Sequence, residues 1–220
     1  MKWISIIAIA LIGRFSFAQE AYQQNSWGSL VWNHQWRGRI ESIADIGHRR
    51  CDGFVYRRRQ ALGRLTVLYR FRNGFSAGLG FAWFQHSSLT SAITNEYRPF
   101  LQAGYRSGKK RWNWQLRFRQ EWRLYPSVDK HFHRTRLQLQ LRRTTHFSCL
   151  EPVVSIEGFS TIQSNILLES RITVGNNFKL RNQTLFLFYT LQNQTSVDGN
   201  QHIIGLQFNI KTGNNENESQ

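Results

Sequence analysis

The chain has 220 residues, a formal charge of +16 from 29 Lys and Arg against 13 Asp and Glu, 14% aromatic residues and only 3 prolines. Two cysteines, Cys51 and Cys149, stand far apart without metal-ligand spacing, which argues against a zinc module or a disulfide-stapled scaffold. Charges interrupt every apolar run beyond the first eighteen residues, so no window there approaches the ~20 apolar residues of a transmembrane helix. A charge this large usually marks a nucleic-acid or anionic partner. What decides is whether the arginines form a solvent-facing patch or line one face of strands.

Residues 1–18 read as a signal peptide. Lys2 supplies the positive start, Trp3 to Gly13 an apolar core too short to span a bilayer, and Ser16 and Ala18 the small residues before a cut at Gln19. Subtracting Lys2 and Arg14 leaves the exported chain at +14.

Period-two alternation then dominates, the primary mark of strands with two different faces. Leu30, Trp32, His34, Trp36, Ile40, Ala44 and Ile46 keep one parity, and Arg37, Arg39, Glu41 and Asp45 the other. That unbroken parity predicts one long strand through Gly38. From Phe54 to Arg72, Leu65, Val67, Tyr69 and Phe71 face out, while Arg64, Thr66, Arg70 and Arg72 face in. Asn73-Gly74 is a two-residue hairpin signal, after which Phe75, Ala77, Leu79, Phe81 and Trp83 continue outward. Glu96, Arg98, Gln102 and Arg106 face in opposite Tyr97, Leu101, Ala103 and Tyr105, with a bulge expected at Pro99.

The clearest stretch is Trp112 to Leu124. Trp112, Trp114, Leu116, Phe118, Trp122 and Leu124 share one face; Arg117, Arg119, Glu121 and Arg123 share the other. Trp112 and Trp122 are separated by about 33 Å of strand, or about 25 Å vertically at a tilt near ~40°, the usual spacing of the two aromatic girdles of a membrane barrel. Trp83, Tyr97 and Tyr105 join these two as girdle candidates. Four further strands cover Arg134 to Arg142, Val153 to Ser160, Ile166 to Phe178 and Thr184 to Asn193, and a last one runs from Gln201 to Lys211.

These readings predict an all-β, closed, antiparallel up-and-down transmembrane barrel of about ten strands, with twelve the alternative, spanning residues 19–211, with a polar tail over 212–220. An even count puts both termini in the periplasm. Short links fall on that side, with Thr144–Leu150 a long exception, longer ones outside, and Cys51 and Cys149 at opposite ends, unpaired. The inward rows predict a lumenal ion network of Arg64, Arg70, Glu96, Arg98, Arg117, Arg119, Glu121, Arg123, Arg134, Arg136, Glu157, Glu169 and Arg171. Such a row serves either as a packed internal brace or, since arginines outnumber acids, as an anion-attracting lumen.

Enzyme signals are thin. His86, His131, His133 and His202, with Ser87, Asp129 and Asp198, are rim candidates for a hydrolase, but no spacing selects a base–nucleophile pair. Gly78-x-Gly80 sits mid-strand, without the strand-to-helix context of a phosphate loop.

The ordered set of Trp27, Arg64 with Tyr69, Glu96-x-Arg98-x-x-x-Gln102, Arg117-x-Arg119-x-Glu121-x-Arg123, Arg134-x-Arg136, Glu157-Gly-Phe159 and Arg171 resembles the family catalogued as domain of unknown function 2490. The resemblance implies an outer-membrane barrel of Bacteroidota-type, Gram-negative bacteria with no established activity. The chain departs from many barrels in ending on a polar segment, with Phe208 as the nearest terminal aromatic.

The expectation is therefore a non-enzymatic outer-membrane barrel, structural or a narrow anion-selective pore. It needs no cofactor, metal or nucleic acid, and its partners are outer-membrane lipid and the barrel-assembly machinery. Two rivals stand beside it: a secreted, soluble, basic β-protein that binds polyanions, and an outer-membrane hydrolase with a rim site.

Overall fold

The computed structural model describes residues 23–36, 38–51, 58–88, 93–109, 111–145, 149–161, 167–194 and 200–213. The signal peptide expected over 1–18 and the tail beyond Gly213 lie outside the described residues. Eleven strands close into one barrel: β1 Gln23–Gln35, β2 Ile40–Cys51, β3 Arg58–Arg70, β4 Phe75–Ser88, β5 Thr94–Lys109, β6 Trp112–Tyr125, β7 Lys130–Arg143, β8 Leu150–Thr161, β9 Leu167–Leu180, β10 Gln183–Gln194 and β11 Asn200–Gly213. Every sequential pair is antiparallel, and β1 pairs with β11 in parallel to close the ring. Among the described residues no helix is long and apolar enough to cross a membrane.

The closed barrel expected from the alternation is the fold, with eleven strands where the pattern reads as about ten. The added strand arises at Gly38. The segment expected to be one strand is a β1–β2 hairpin, in which Gln35 faces Glu41 and the Trp36 N–H donates to the Ile40 carbonyl at 3.0 Å. Gly38 adopts a left-handed φ of +84°, open to glycine at little cost. Opposed residues in this hairpin have numbers of equal parity, so the inside–outside pattern passes through the turn unchanged. Alternation alone therefore does not separate this hairpin from one long strand.

The odd count has a geometrical consequence. With β1 and β11 parallel, Gln23 and Gly213 lie at opposite rims, so the expected placement of both termini on one side does not hold. Gly213 shares its rim with the links 36–39, 71–74, 110–111, 144–149 and 181–182, short except for 144–149, and Gln23 shares the other with links that are longer on average. Cys51 ends β2 at the long-link rim, while Cys149 precedes β8 at the short-link rim and is free and exposed.

Two local expectations change. The Phe71 N–H donates to the Phe75 carbonyl at 2.8 Å, so Arg72, Asn73 and Gly74 form a three-residue link with Gly74 at φ +84°, not a two-residue turn. Pro99 carries no bulge: β4 and β5 keep one register from Phe75–Tyr105 through Phe81–Pro99 to His86–Thr94. Arg98 and Pro99 instead leave a gap in the ladder to β6, where the missing N–H needs no partner. The register shift observed lies between Phe159 and Ser160.

The outer face carries Leu65, Leu79, Leu101, Phe118, Leu137, Ile156, Ile172 and Ile204, all exposed. Inside, β3 to β5 form a small apolar core of Leu62, Ala82, Phe84 and Phe100. Gly80 makes room for it, since a Cβ there would stand 2.3 Å from Phe100 Cζ.

Candidate functional site in the barrel lumen

Cross-strand neighbours set the pairings of the inward charges. Asp45 faces Arg64, Glu121 faces Arg134 and Glu157 faces Arg171, each as a directly opposed pair. Arg64 donates to Asp45, and Arg70 to Glu41, as two local pairs on β2 and β3.

A larger unit spans β6 to β9. Arg136 bridges Glu121 at 2.7 Å and Glu157 at 2.8 Å. Arg171 lies 3.8 Å from Glu157 and is ion-paired with Glu169. Arg134 stands 3.7 Å from Glu169 and 2.8 Å from Glu121, which closes the circuit. Three acids and three arginines thus alternate in a ring. Its hub is Phe159, 1% exposed, with the guanidinium carbons of Arg134, Arg136 and Arg171 at 4.9, 4.8 and 4.6 Å from the ring centre. Cation–π attraction and alternating charge hold the same three arginines from two directions.

The other predicted residues attach around this ring. Arg117 reaches Glu157 at 3.4 Å, and Arg119 donates to Gln102 at 2.7 Å and lies 3.7 Å from Glu121. Glu96, fully buried, forms a separate group. It accepts from Arg98 at 2.6 and 2.7 Å, pairs with Arg123, and has His86 Nε2 at 3.1 Å.

Two cavities of about 470 and 270 Å³ occupy the lumen, the larger toward the short-link rim. They share Trp27, Arg49, Leu62, Arg64, Arg136 and Arg171, which form the waist between them. Four of these six are arginines, and none is acidic. Arg49 escapes the sequence reading because residues 47–53 read as a loop. β2 continues to Cys51, and Arg49 keeps the inward parity of Glu41 and Asp45, which is the signal that reveals it.

The girdle candidates fall at two levels of the outer face. Trp83 opposes Tyr97 and donates to Asn95 at 3.2 Å, and Trp122 packs against His133 toward the long-link rim. Tyr105, between Phe75 and Trp114, and Trp112 lie toward the short-link rim. The hydrolase candidates are not assembled: His86 is lumenal, whereas His131, His133 and His202 follow the outward parity of Leu137 and Ile204. Ser87 follows His86 on the opposite face, Asp129 caps the Pro126–Val128 turn, and Asp198 lies outside the described residues. No group of three or more metal-ligating side chains occurs among the described residues.

The family model described as protein of unknown function (DUF2490) matches residues 24–203. The chain belongs to this family. The match runs from the second residue of β1 into β11, and so takes in every member of the ring around Phe159. No curated protein matches the chain. Among solved structures it is similar to one named KdgM porin, at 15% identity and a TM-score of 0.48, covering 74% of this chain and 81% of that chain.

Proposed function

We propose that this family member is an outer-membrane barrel whose narrow lumen admits small anions. The waist carries the reading: of its four arginines, Arg64, Arg136 and Arg171 contact acids while Arg49 contacts none among the described residues, and a cavity extends from it toward each rim. Clefts lined by one sign of charge, with low-dielectric walls, concentrate the opposite ion. The apolar outer face, continuous around strands of 12 to 16 residues, supports a lipid environment and argues against a soluble polyanion-binding protein. The ring around Phe159 braces one side of the bore while leaving Arg49 without an acidic partner among the described residues.

Reconstitution in planar bilayers under a potassium chloride gradient tests this. The expected result is a small conductance whose reversal potential favours chloride. A silent membrane, or selectivity for potassium, overturns the pore reading. Recovery of the native protein in the periplasmic or supernatant fraction overturns the location.

A further inference from the structure

We infer that the waist holds a discrete oxyanion-binding site headed by Arg49, taking a phosphate or carboxylate group in the fork of its guanidinium. The inference rests on the pore reading only in that the solute reaches the site along the lumen. Arg49 is held in place without an acid. Its Nη1 donates to Gln60 at 3.1 Å, and its guanidinium lies 4.1 Å from the centre of the Trp27 ring and 5.8 Å from that of Phe84. The other charged side chains that line both cavities with it are Arg64, Arg136 and Arg171, all cations.

The contrast with the rest of the lumen carries the argument. Arg64, Arg98, Arg134, Arg136 and Arg171 each contact a carboxylate. Arg49 contacts none among the described residues, yet both cavities open onto it. A guanidinium has five donors in a rigid fork, and Gln60 takes one of those of Arg49. The remaining donors match two oxygens of one oxyanion, which chloride, a single atom, does not offer. An incoming oxyanion also relieves the mutual repulsion of the surrounding arginines. Trp27 is not the ligand's platform, because Arg49 and Arg171 already lie over its ring, the latter at 5.3 Å.

The test is calorimetric titration of the full barrel in detergent with inorganic phosphate at constant ionic strength. Parallel planar-bilayer recordings follow phosphate block of the chloride current. Saturable binding is expected, weakened about tenfold by Arg49→Gln, the scale of losing one charge-assisted partner. Arg49→Lys, which keeps the charge and loses the fork, should restore only part of it. Heat-modifiable migration on gels establishes that each variant is folded. Should Arg49→Gln fail to fold, the Lys variant alone decides: wild-type affinity there overturns the forked site. Unchanged phosphate affinity in folded Arg49→Gln, or no saturable binding in the wild type, overturns the site even if the anion current persists. Saturable binding lost in Arg49→Gln, with a silent bilayer, supports the site and removes the pore reading instead.

Discussion

Two walls of the same lumen are built on opposite principles. On β6 to β9, buried acids and arginines alternate around Phe159. On β10, β11 and β1, the inward side chains are neutral, among them Phe186, Phe188, Thr190, Gln192, Ile203, Asn209, Trp27 and Val31, with Lys211 the charge nearest the rim. The first wall fills space with long side chains that hold one another. The second lies flat: the Phe188 ring rests over Gly205, where a Cβ would come within 2.0 Å of Cζ, and between Gly175 and Gly205 in register. The outward faces of the two walls are alike. The difference shows that a barrel's exterior pattern sets its closure, while its interior divides stiffness from bore.

The charged wall should respond most to a single change. Glu121, 2% exposed, accepts from Arg134 at 2.8 Å and Arg136 at 2.7 Å and lies near Arg119. Glu121→Gln removes the charge these arginines share and leaves them buried together, a loss of about 3–5 kcal/mol for a broken buried pair. Urea unfolding in lipid vesicles, followed by tryptophan fluorescence, measures it. A loss no larger than that of a neutral hydrogen bond on the opposite wall would mean the ring is not a structural unit.

The next largest effect separates inside from outside on one strand. Phe118 is 45% exposed at the middle of β6, between the inward Arg117 and Arg119. Phe118→Arg should cost about 2–4 kcal/mol in vesicles, the depth-dependent penalty for arginine facing hydrocarbon. Arginine is the native residue one position away on either side. An unchanged urea midpoint would remove the assignment of this face to lipid.

This alternation on β6 is what made the architecture legible. A residue's parity fixes its face, so the inward direction of Arg117, Arg119, Glu121 and Arg123 follows from the string of letters. Partner choice does not. That Arg136 bridges Glu121 and Glu157 depends on the register of three strands, which no single strand encodes. The β1–β2 hairpin escaped because its turn preserves parity, and with it went the odd count, the parallel β1–β11 seam and the placement of Gln23 and Gly213 at opposite rims. Phe100 and Phe159 were hidden differently. They are apolar residues on an inward row, where arginines make the row look polar throughout.

On the flat wall, Gly205→Ala sets a methyl group against the end of the Phe188 ring. The ring is the movable partner, and it must swing into the lumen toward Trp27, whose ring centre lies 6.4 Å from its own. Overpacking of this kind costs about 1–3 kcal/mol. The more telling result is conductance, expected to fall because the bore narrows while the charge is unchanged. A current equal to that of the native barrel would place the conducting path away from this wall.

The smallest effect is expected at Thr190, 2% exposed, whose hydroxyl lies 2.7 Å from that of Thr173. Thr190→Val keeps the shape and removes one partner of a neutral pair, with a cost of about 1 kcal/mol. Thr173 also lines the larger cavity, so its hydroxyl has water to turn to once Thr190 is gone. Glu121→Gln instead leaves two arginines side by side without the carboxylate they share, a charge imbalance that cavity water offsets only in part. The two substitutions each delete hydrogen-bonding capacity from a residue of equal burial. A several-fold larger loss at Glu121, measured in the same urea titrations, would show that the stiff wall draws its strength from charge. Equal losses would show that closure of the barrel, shared by both walls, supplies the stability instead.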